Sequence, residues 1–223
     1  MVPPSQVFPA QQVVQSRNPG QTVNAAYAIE RITCALALVA LAPVYVAIAA
    51  TVVILSRRSP LIRHRRVGQF GAPLPLLKFR SMWQGKPDDW QELRLIENVQ
   101  SLVPDAKSDD DNRVTSRFAA FCRRHSIDEL PQLWHVVRGE MSLVGPRPIT
   151  ALELELYYGD CARRVLEMRP GLAGLWQVMG RNRLTYRQRR RLDLFLVEHA
   201  SAGLYLRILA KALPAVLTGK DAY

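Results

Sequence analysis

The apolar positions form one long block followed by several short periodic ones. From Ile32 to Leu55 the chain carries no charge over 24 residues, and its aliphatic hydroxyls are Thr33 and Thr51. At about 1.5 Å per residue a helix of that length reaches roughly 36 Å, enough for a bilayer core. Pro43 lies near the middle. Proline removes one helical hydrogen bond and clashes with the preceding turn, so a kink is expected there. A kinked apolar helix can cross a membrane, or dip into one leaflet and return. A buried core helix is the third reading of such a run. The run begins too late and is too long for a cleavable signal peptide.

Residues 1–24 are rich in Gln, Pro, Ser and Asn without periodicity and read as a disordered tail. Beyond the apolar run, Leu74–Met82 reads as a strand. Residues 83–112 read as a polar loop with a short helix over Trp90–Val99. A basic helix over 113–125 follows, then a helix over Leu130–Val137. Met141–Val144 is extended and is stopped by Gly145-Pro146-Arg147-Pro148. Leu152–Met168 reads as helix, Pro170–Gly180 as a Gly-rich loop holding Trp176, and Leu184–Glu198 and Leu204–Leu217 as two more helices. The last is amphipathic, with Arg207 and Lys211 among its leucines; it suits a membrane surface or a core. No internal repeat is visible. The expected architecture is α/β and mainly helical: a kinked membrane helix over 25–56 and a small catalytic domain over 57–223.

Charge sharpens this division. Mean hydropathy is −0.05, a value typical of soluble proteins, because the average mixes the apolar run with a basic remainder. The net charge is +11, and only five of the 30 basic residues are lysine. Arginine favours bidentate contacts to phosphate or carboxylate. Residues 57–82 hold seven basic residues and no acidic one, whereas 83–112 hold three basic and eight acidic. The cluster Arg57 to Arg66 directly after the apolar run matches the pattern that faces anionic cytoplasmic lipid, so the C-terminal part should be cytoplasmic. Arg31 and Glu30 nearly cancel at the other flank. Cys34, Cys122 and Cys161 are scattered and read as reduced thiols.

Candidate chemistry concentrates in Ser126-Ile127-Asp128-Glu129-Leu130-Pro131-Gln132-Leu133. Two adjacent carboxylates precede a proline suited to a first helical turn. Backbone N–H groups and the helix dipole would keep such carboxylates ionised, fit to bind Mg²⁺ or to attack phosphorus. The alternative is a capping box between Ser126 and Glu129. Arg123 and Arg124 lie just upstream, Arg147 stands between two prolines, and Lys78 and Arg80 flank Phe79. If they converge with the carboxylates, the ensemble suits phosphoryl transfer. Asp109-Asp110-Asp111 reads as a solvated acidic turn or one close to a metal.

These residues carry a resemblance. The pieces RRVG (65–68), LLKFRSM (76–82), SIDELPQLWHVVRGEMSLVGPRP (126–148), RPGLAGLWQVMGR (169–181) and the terminal GKDAY resemble the bacterial sugar transferase family, the monotopic polyprenyl-phosphate phosphoglycosyl transferases in their short form. The resemblance spans roughly residues 27–223. It implies transfer of a hexose 1-phosphate from a UDP-sugar to undecaprenyl phosphate with release of UMP, as the first membrane step of a surface glycan such as an exopolysaccharide. By the same resemblance Asp128 is the nucleophile of a covalent phosphosugar intermediate, and Asp128 and Glu129 hold Mg²⁺. Lys78, Arg123 and Arg147 are implied to bind anions, with Arg80 grouped among the phosphate-binding residues, and Arg147 with Pro146 and Pro148 is also implied to shape the nucleotide-sugar site. The helix kinked at Pro43 is implied to be re-entrant in the bacterial inner membrane, with both ends cytoplasmic. This chain departs from the family at Ala42, where Ser usually precedes the proline, and at Ala119, Ala173, Tyr205 and Ala212, where Gly, Thr, Asp and Thr are usual.

The expected partners are therefore a UDP-sugar, undecaprenyl phosphate and inner-membrane phospholipids, with a homo-oligomer open. Nucleic acid is not expected. The net charge permits a membrane-anchored nucleic-acid-binding protein, but the bases are dispersed among carboxylates and no zinc, RRM or homeodomain pattern appears. A glycosyltransferase that moves the sugar alone would release UDP instead.

Overall fold

The computed structural model describes residues 21–83, 116–180 and 183–218. The helix expected at Trp90–Val99, the Asp109–Asp111 turn and the terminal GKDAY lie outside them. The apolar run forms two helices, α1 (Gln21–Ala40) and α2 (Ala42–Ser56). α1 begins four residues inside the stretch expected to be tail. The pair bends by 61°, and no single described helix is long and apolar enough to cross a membrane. The break falls at Leu41, ahead of Pro43 in the first turn of α2. Pro43 cannot donate the bond that would continue α1, while Leu41 and Tyr45 keep theirs, to Ala37 and Leu41. Thr51 Oγ donates to the Ala47 carbonyl, which satisfies the hydroxyl within an apolar helix. Large apolar side chains stand outside the protein on both helices, with Val39 at 76% and Ile54 at 73% exposure. That excludes the buried-core-helix reading.

After α2 the chain forms a hairpin of β1 (Leu61–Val67) and β2 (Pro73–Phe79), antiparallel with Leu61 opposite Phe79 and Val67 opposite Pro73. Strand alternation leaves Arg63 and Arg65 exposed and turns Arg66 inward. Helix α3 (Arg117–Arg124) is capped by the Ser116 hydroxyl, which accepts from the Phe118 N–H. A 3-10 turn over Ile127–Gln132 leads into α4 (Leu133–Arg138), which ends at Gly139 in the left-handed region. The single helix expected over Leu130–Val137 is thus a 3-10 segment joined to a short α-helix.

Strands β3 (Ser142–Val144) and β4 (Gly171–Ala173) pair in parallel. Between them, the helix expected over Leu152–Met168 is broken into α5 (Ala151–Glu153), a π segment over Leu154–Tyr158, a 3-10 turn over Gly159–Cys161 and α6 (Ala162–Val165). Thr150 and Glu153 form a reciprocal capping box at its start. Gly159, at φ +47°, marks the break. The stretch expected to be a Gly-rich loop holds β4 and α7 (Leu175–Met179). Its glycine serves close approach: a Cβ on Gly171 would lie 2.0 Å from Gly145 N. Helices α8 (Tyr186–Glu198) and α9 (Ala202–Thr218) complete the described chain, close to expectation.

The core joins the apolar helices to the rest. Cys34 of α1 packs with Leu74, Leu76, Val136 and Met141. Ile48 and Val52 of α2 pack with Phe79, and Tyr45, Phe118, Ile127 and Leu130 close that cluster. Fully burying one such side chain contributes about 1.5–3 kcal/mol. Glu30, buried on α1, accepts hydrogen bonds from Ser142 Oγ at 2.8 Å and from Tyr205 OH. This explains the departure at 205: a tyrosine donates to Glu30, where an aspartate would repel it. Helix α9 packs Ile208, Leu204 and Leu209 inward and leaves Leu206 and Leu213 exposed.

Candidate functional site

The Asp-Glu pair sits on the 3-10 turn, and the turn is held from below by α2. Tyr45 OH donates to the Leu130 carbonyl at 2.6 Å. Ser126 enters the turn at φ +54° and makes no side-chain capping bond, so the capping box with Glu129 does not form. Instead Glu129 Oε1 receives Lys78 Nζ at 2.6 Å, both side chains being largely buried. β2 presents Lys78, and His135 locks β2 to α4. Its Nε2 accepts from the Leu77 N–H at 3.1 Å, which requires the proton on Nδ1, 2.6 Å from Glu140 Oε2.

Asp128 is 8% exposed, with Ser81 Oγ 3.5 Å from its Oδ2. Burial pushes its carboxyl above the ordinary value; Lys78 pulls it down, Glu129 pushes it up and Arg123 pulls it down. Of the cations expected to serve the carboxylates, Lys78 acts on both of them. Arg123 acts on Asp128 from the end of α3. Lys78 and Arg147 line a small open cleft together with Glu129, Gln132 and Gln177. Pro148, Leu76 and Leu172 supply apolar wall. Pro146 lies on the other side of the Pro-Arg-Pro segment, in an apolar pocket with Val67 and Ile149.

Arg80 does not join them. β2 ends at Phe79, the Arg80 N–H returns to the Pro60 carbonyl, and its Nε donates to the Ser59 carbonyl at 2.8 Å, tying off the hairpin. Arg66 takes a place the sequence reading gave to lipid-facing charge. It lines the cleft and bonds Glu153 Oε2 at 2.8 Å. Burial pulls its guanidinium down from the ordinary value, Glu153 pushes it up, and Arg147 pulls it down. The inward phase of β1 was the available signal.

Behind Arg147 lies a layer that sequence reasoning missed. The Trp176 ring is 5.9 Å from the Arg147 guanidinium carbon and 4.7 Å from that of Arg189. Arg189 also lies over Tyr186, which stacks on Tyr157 at 3.7 Å. Asp193, one turn along α8 and fully buried, accepts from Tyr158 OH at 2.6 Å. Burial pushes its carboxyl up to about 7, against the opposing pull of that bond and of Arg147 and Arg189.

For a metal, the donor set is small. Asp128 and Glu129 are adjacent, and among the described residues no group of three or more His, Cys, Asp or Glu converges. Two carboxylates that repel each other, next to a cationic cleft, fit a hard ion that takes its remaining ligands from water and phosphate oxygens, as Mg²⁺ does.

Residues 23–219 match the bacterial sugar transferase family. Among curated proteins, the chain is 42% identical over 167 residues to a UDP-galactose-lipid carrier transferase of Erwinia amylovora, covering 74% of this chain and 35% of that protein. It is 38% identical over 200 residues to the exopolysaccharide production protein ExoY of Rhizobium meliloti, covering 86% and 85%. It is 35% identical over 205 residues to a UDP-glucose:undecaprenyl-phosphate glucose-1-phosphate transferase of Caulobacter vibrioides, covering 87% and 70%. The chain thus spans about a third of the Erwinia relative and most of the other two. With the Asp-Glu turn, the cationic cleft and a match over nearly the whole length, the chain belongs to the bacterial sugar transferase family.

Proposed function

We propose that this protein transfers a hexose 1-phosphate from a UDP-sugar to undecaprenyl phosphate, releasing UMP, in the first membrane step of exopolysaccharide synthesis. The observation that carries the reading is the Lys78–Glu129 pair in a cleft also lined by Arg66 and Arg147, with the buried Asp128 next to Glu129 and under the charge of Lys78. The names of the Erwinia and Caulobacter relatives supply the substrate class.

In the first displacement an Asp128 carboxylate oxygen attacks the phosphorus that bears the sugar. The O–P bond forms as the bridging P–O bond breaks, and the electron pair leaves with UMP. In the second, an oxygen of undecaprenyl phosphate attacks the same phosphorus and returns the electron pair to Asp128. Each step conserves charge and needs no added proton. Lys78 and Arg147 hold non-bridging oxygens, and Arg123 opposes the rise of the Asp128 carboxyl. Asp128 and Glu129 would hold Mg²⁺, which supplies charge neutralisation on the diphosphate.

The depth of the site follows from the anchor. The α1–α2 pair enters one leaflet and returns, leaving both ends cytoplasmic, with Arg63 and Arg65 on phospholipid head groups. Tyr45 then carries the catalytic turn to the level of the lipid phosphate. The test screens UDP-sugars against undecaprenyl phosphate and identifies the nucleotide released. UMP supports the reading; UDP would make the protein a glycosyltransferase and refute it.

A further inference from the structure

Two N–H donors on residues that line the cleft have no partner among the described residues. Gln132 is 2% exposed, and its Nε2 has no hydrogen-bond partner among the described residues. Arg66 gives one terminal nitrogen to Glu153, yet its Nε is also buried without a partner among the described residues. Both residues line the cleft that holds Lys78, Glu129 and Arg147. Buried donors are nearly always paired, and an orphan lowers stability unless something else takes the bond. Two orphans on residues that line one cleft have a common explanation in a ligand.

We propose that Gln132 Nε2–H and Arg66 Nε–H form a donor subsite for a phosphoryl oxygen of the substrates. This rests on the phosphosugar-transfer reading of the same cleft. The chemistry is that of acceptor recognition by direction. Gln132 is neutral, and Arg66 already has its charge offset by Glu153, so the pair adds hydrogen bonds without adding much net charge. Lys78 is likewise engaged with Glu129. The subsite therefore reads oxygen placement, while Arg147 supplies charge. The oxygen belongs either to the sugar-nucleotide diphosphate or to the lipid phosphate.

Gln132→Met keeps the volume and removes the donor; Arg66→Lys keeps the charge and removes Nε–H. Three readouts on the full chain separate the possibilities: Kd for UDP, KM for the UDP-sugar in UMP release, and KM for undecaprenyl phosphate. The subsite predicts a rise of about tenfold in at least one of them for each variant, the loss expected of one hydrogen bond to a charged oxygen. A rise in the first two assigns the oxygen to the nucleotide, and a rise in the third to the lipid. Gln132→Met should also leave Tm unchanged or higher, because an unpaired buried amide is removed. A purely structural Gln132 would show a lower Tm with all three constants within twofold of wild type, and that result overturns the proposal. If the wild type released UDP, the transfer reading would fail, while the UDP Kd would still test the subsite.

Discussion

Gly171→Ala places a methyl group where the backbone of the neighbouring strand already lies. Its Cβ would sit 2.0 Å from Gly145 N and 2.6 Å from Gly145 Cα, short of the 3.4 Å lower bound of ordinary contact. Nothing at that point can rotate away, since both atoms are backbone. Strands β3 and β4 must separate by about an ångström. The bonds at risk are Ser142 N to Pro170 O at 2.9 Å, Gly145 N to Ala173 O at 3.1 Å and Gly171 N to Pro146 O at 2.8 Å. At about 1 kcal/mol net each, with about 1–3 kcal/mol of overpacking strain, the cost is roughly 4–6 kcal/mol. For a chain of this size that lowers Tm by about 8–24 °C. The same movement displaces Arg147 and Pro148 from their places in the cleft, and a misplacement of about 1 Å can lower the rate about a hundredfold. Gly203→Ala is the control: it meets nothing within 4 Å at the start of α9, so Tm should hold or rise. Thermal unfolding and UMP release of the two variants give the answer. A Gly171→Ala protein that melts within about 1 °C of wild type would refute the close-packing argument.

Other expectations can be checked alongside. Burial holds the Asp128 carboxyl above its ordinary value, and the proposed attack needs it ionised; activity should therefore fall, as pH is lowered, at a pH above the usual aspartate value of about 3.9. Arg123→Met removes a charge that pulls Asp128 down, so that acid limb should move to higher pH, and an unmoved limb would remove Arg123 from the site. Asp193, raised from 3.8 to about 7, binds its proton more tightly folded than unfolded. Its stabilising contribution is full below the unfolded value and is lost as pH rises through about 7. Asp193→Asn should therefore flatten the decline in Tm between pH 5 and pH 7, and an unchanged slope would mean that another group sets it. Tyr45→Phe deletes the bond to the Leu130 carbonyl, and about 1 kcal/mol in stability together with a lower kcat at unchanged KM should follow; a change in KM with kcat intact would mean that Tyr45 does not position the turn.

The parts of this molecule that were legible in the sequence are those whose signal is local. The apolar run, its proline and the long α8 and α9 patterns each occupy contiguous residues, and the structure forms them nearly where expected. The Asp128–Glu129 turn and the Pro-Arg-Pro segment were legible as motifs. What was hidden depends on distant partners. Arg66 was read with its basic neighbours as lipid-facing, but its partner Glu153 is 87 residues away. Glu30 looked like a charge cancelled by Arg31; Ser142 and Tyr205 bury it instead. The Ser126–Glu129 spacing fits a capping box equally well, and only Lys78, supplied by β2, decides against it. The Leu152–Met168 stretch has a helical apolar period, yet tertiary packing of Tyr157 and Tyr158 against α8 accompanies a π segment that periodicity does not reveal.

The central claim is that Asp128 carries the phosphosugar between donor and acceptor. Incubating the protein with a UDP-sugar labelled on the phosphate next to the sugar, without undecaprenyl phosphate, tests it directly. The expected result is one equivalent of UMP and a hexose-phosphate mass adduct on the peptide containing Asp128, discharged when undecaprenyl phosphate is added and absent in Asp128→Asn. Labelled lipid product formed by Asp128→Asn at the wild-type rate would contradict the account.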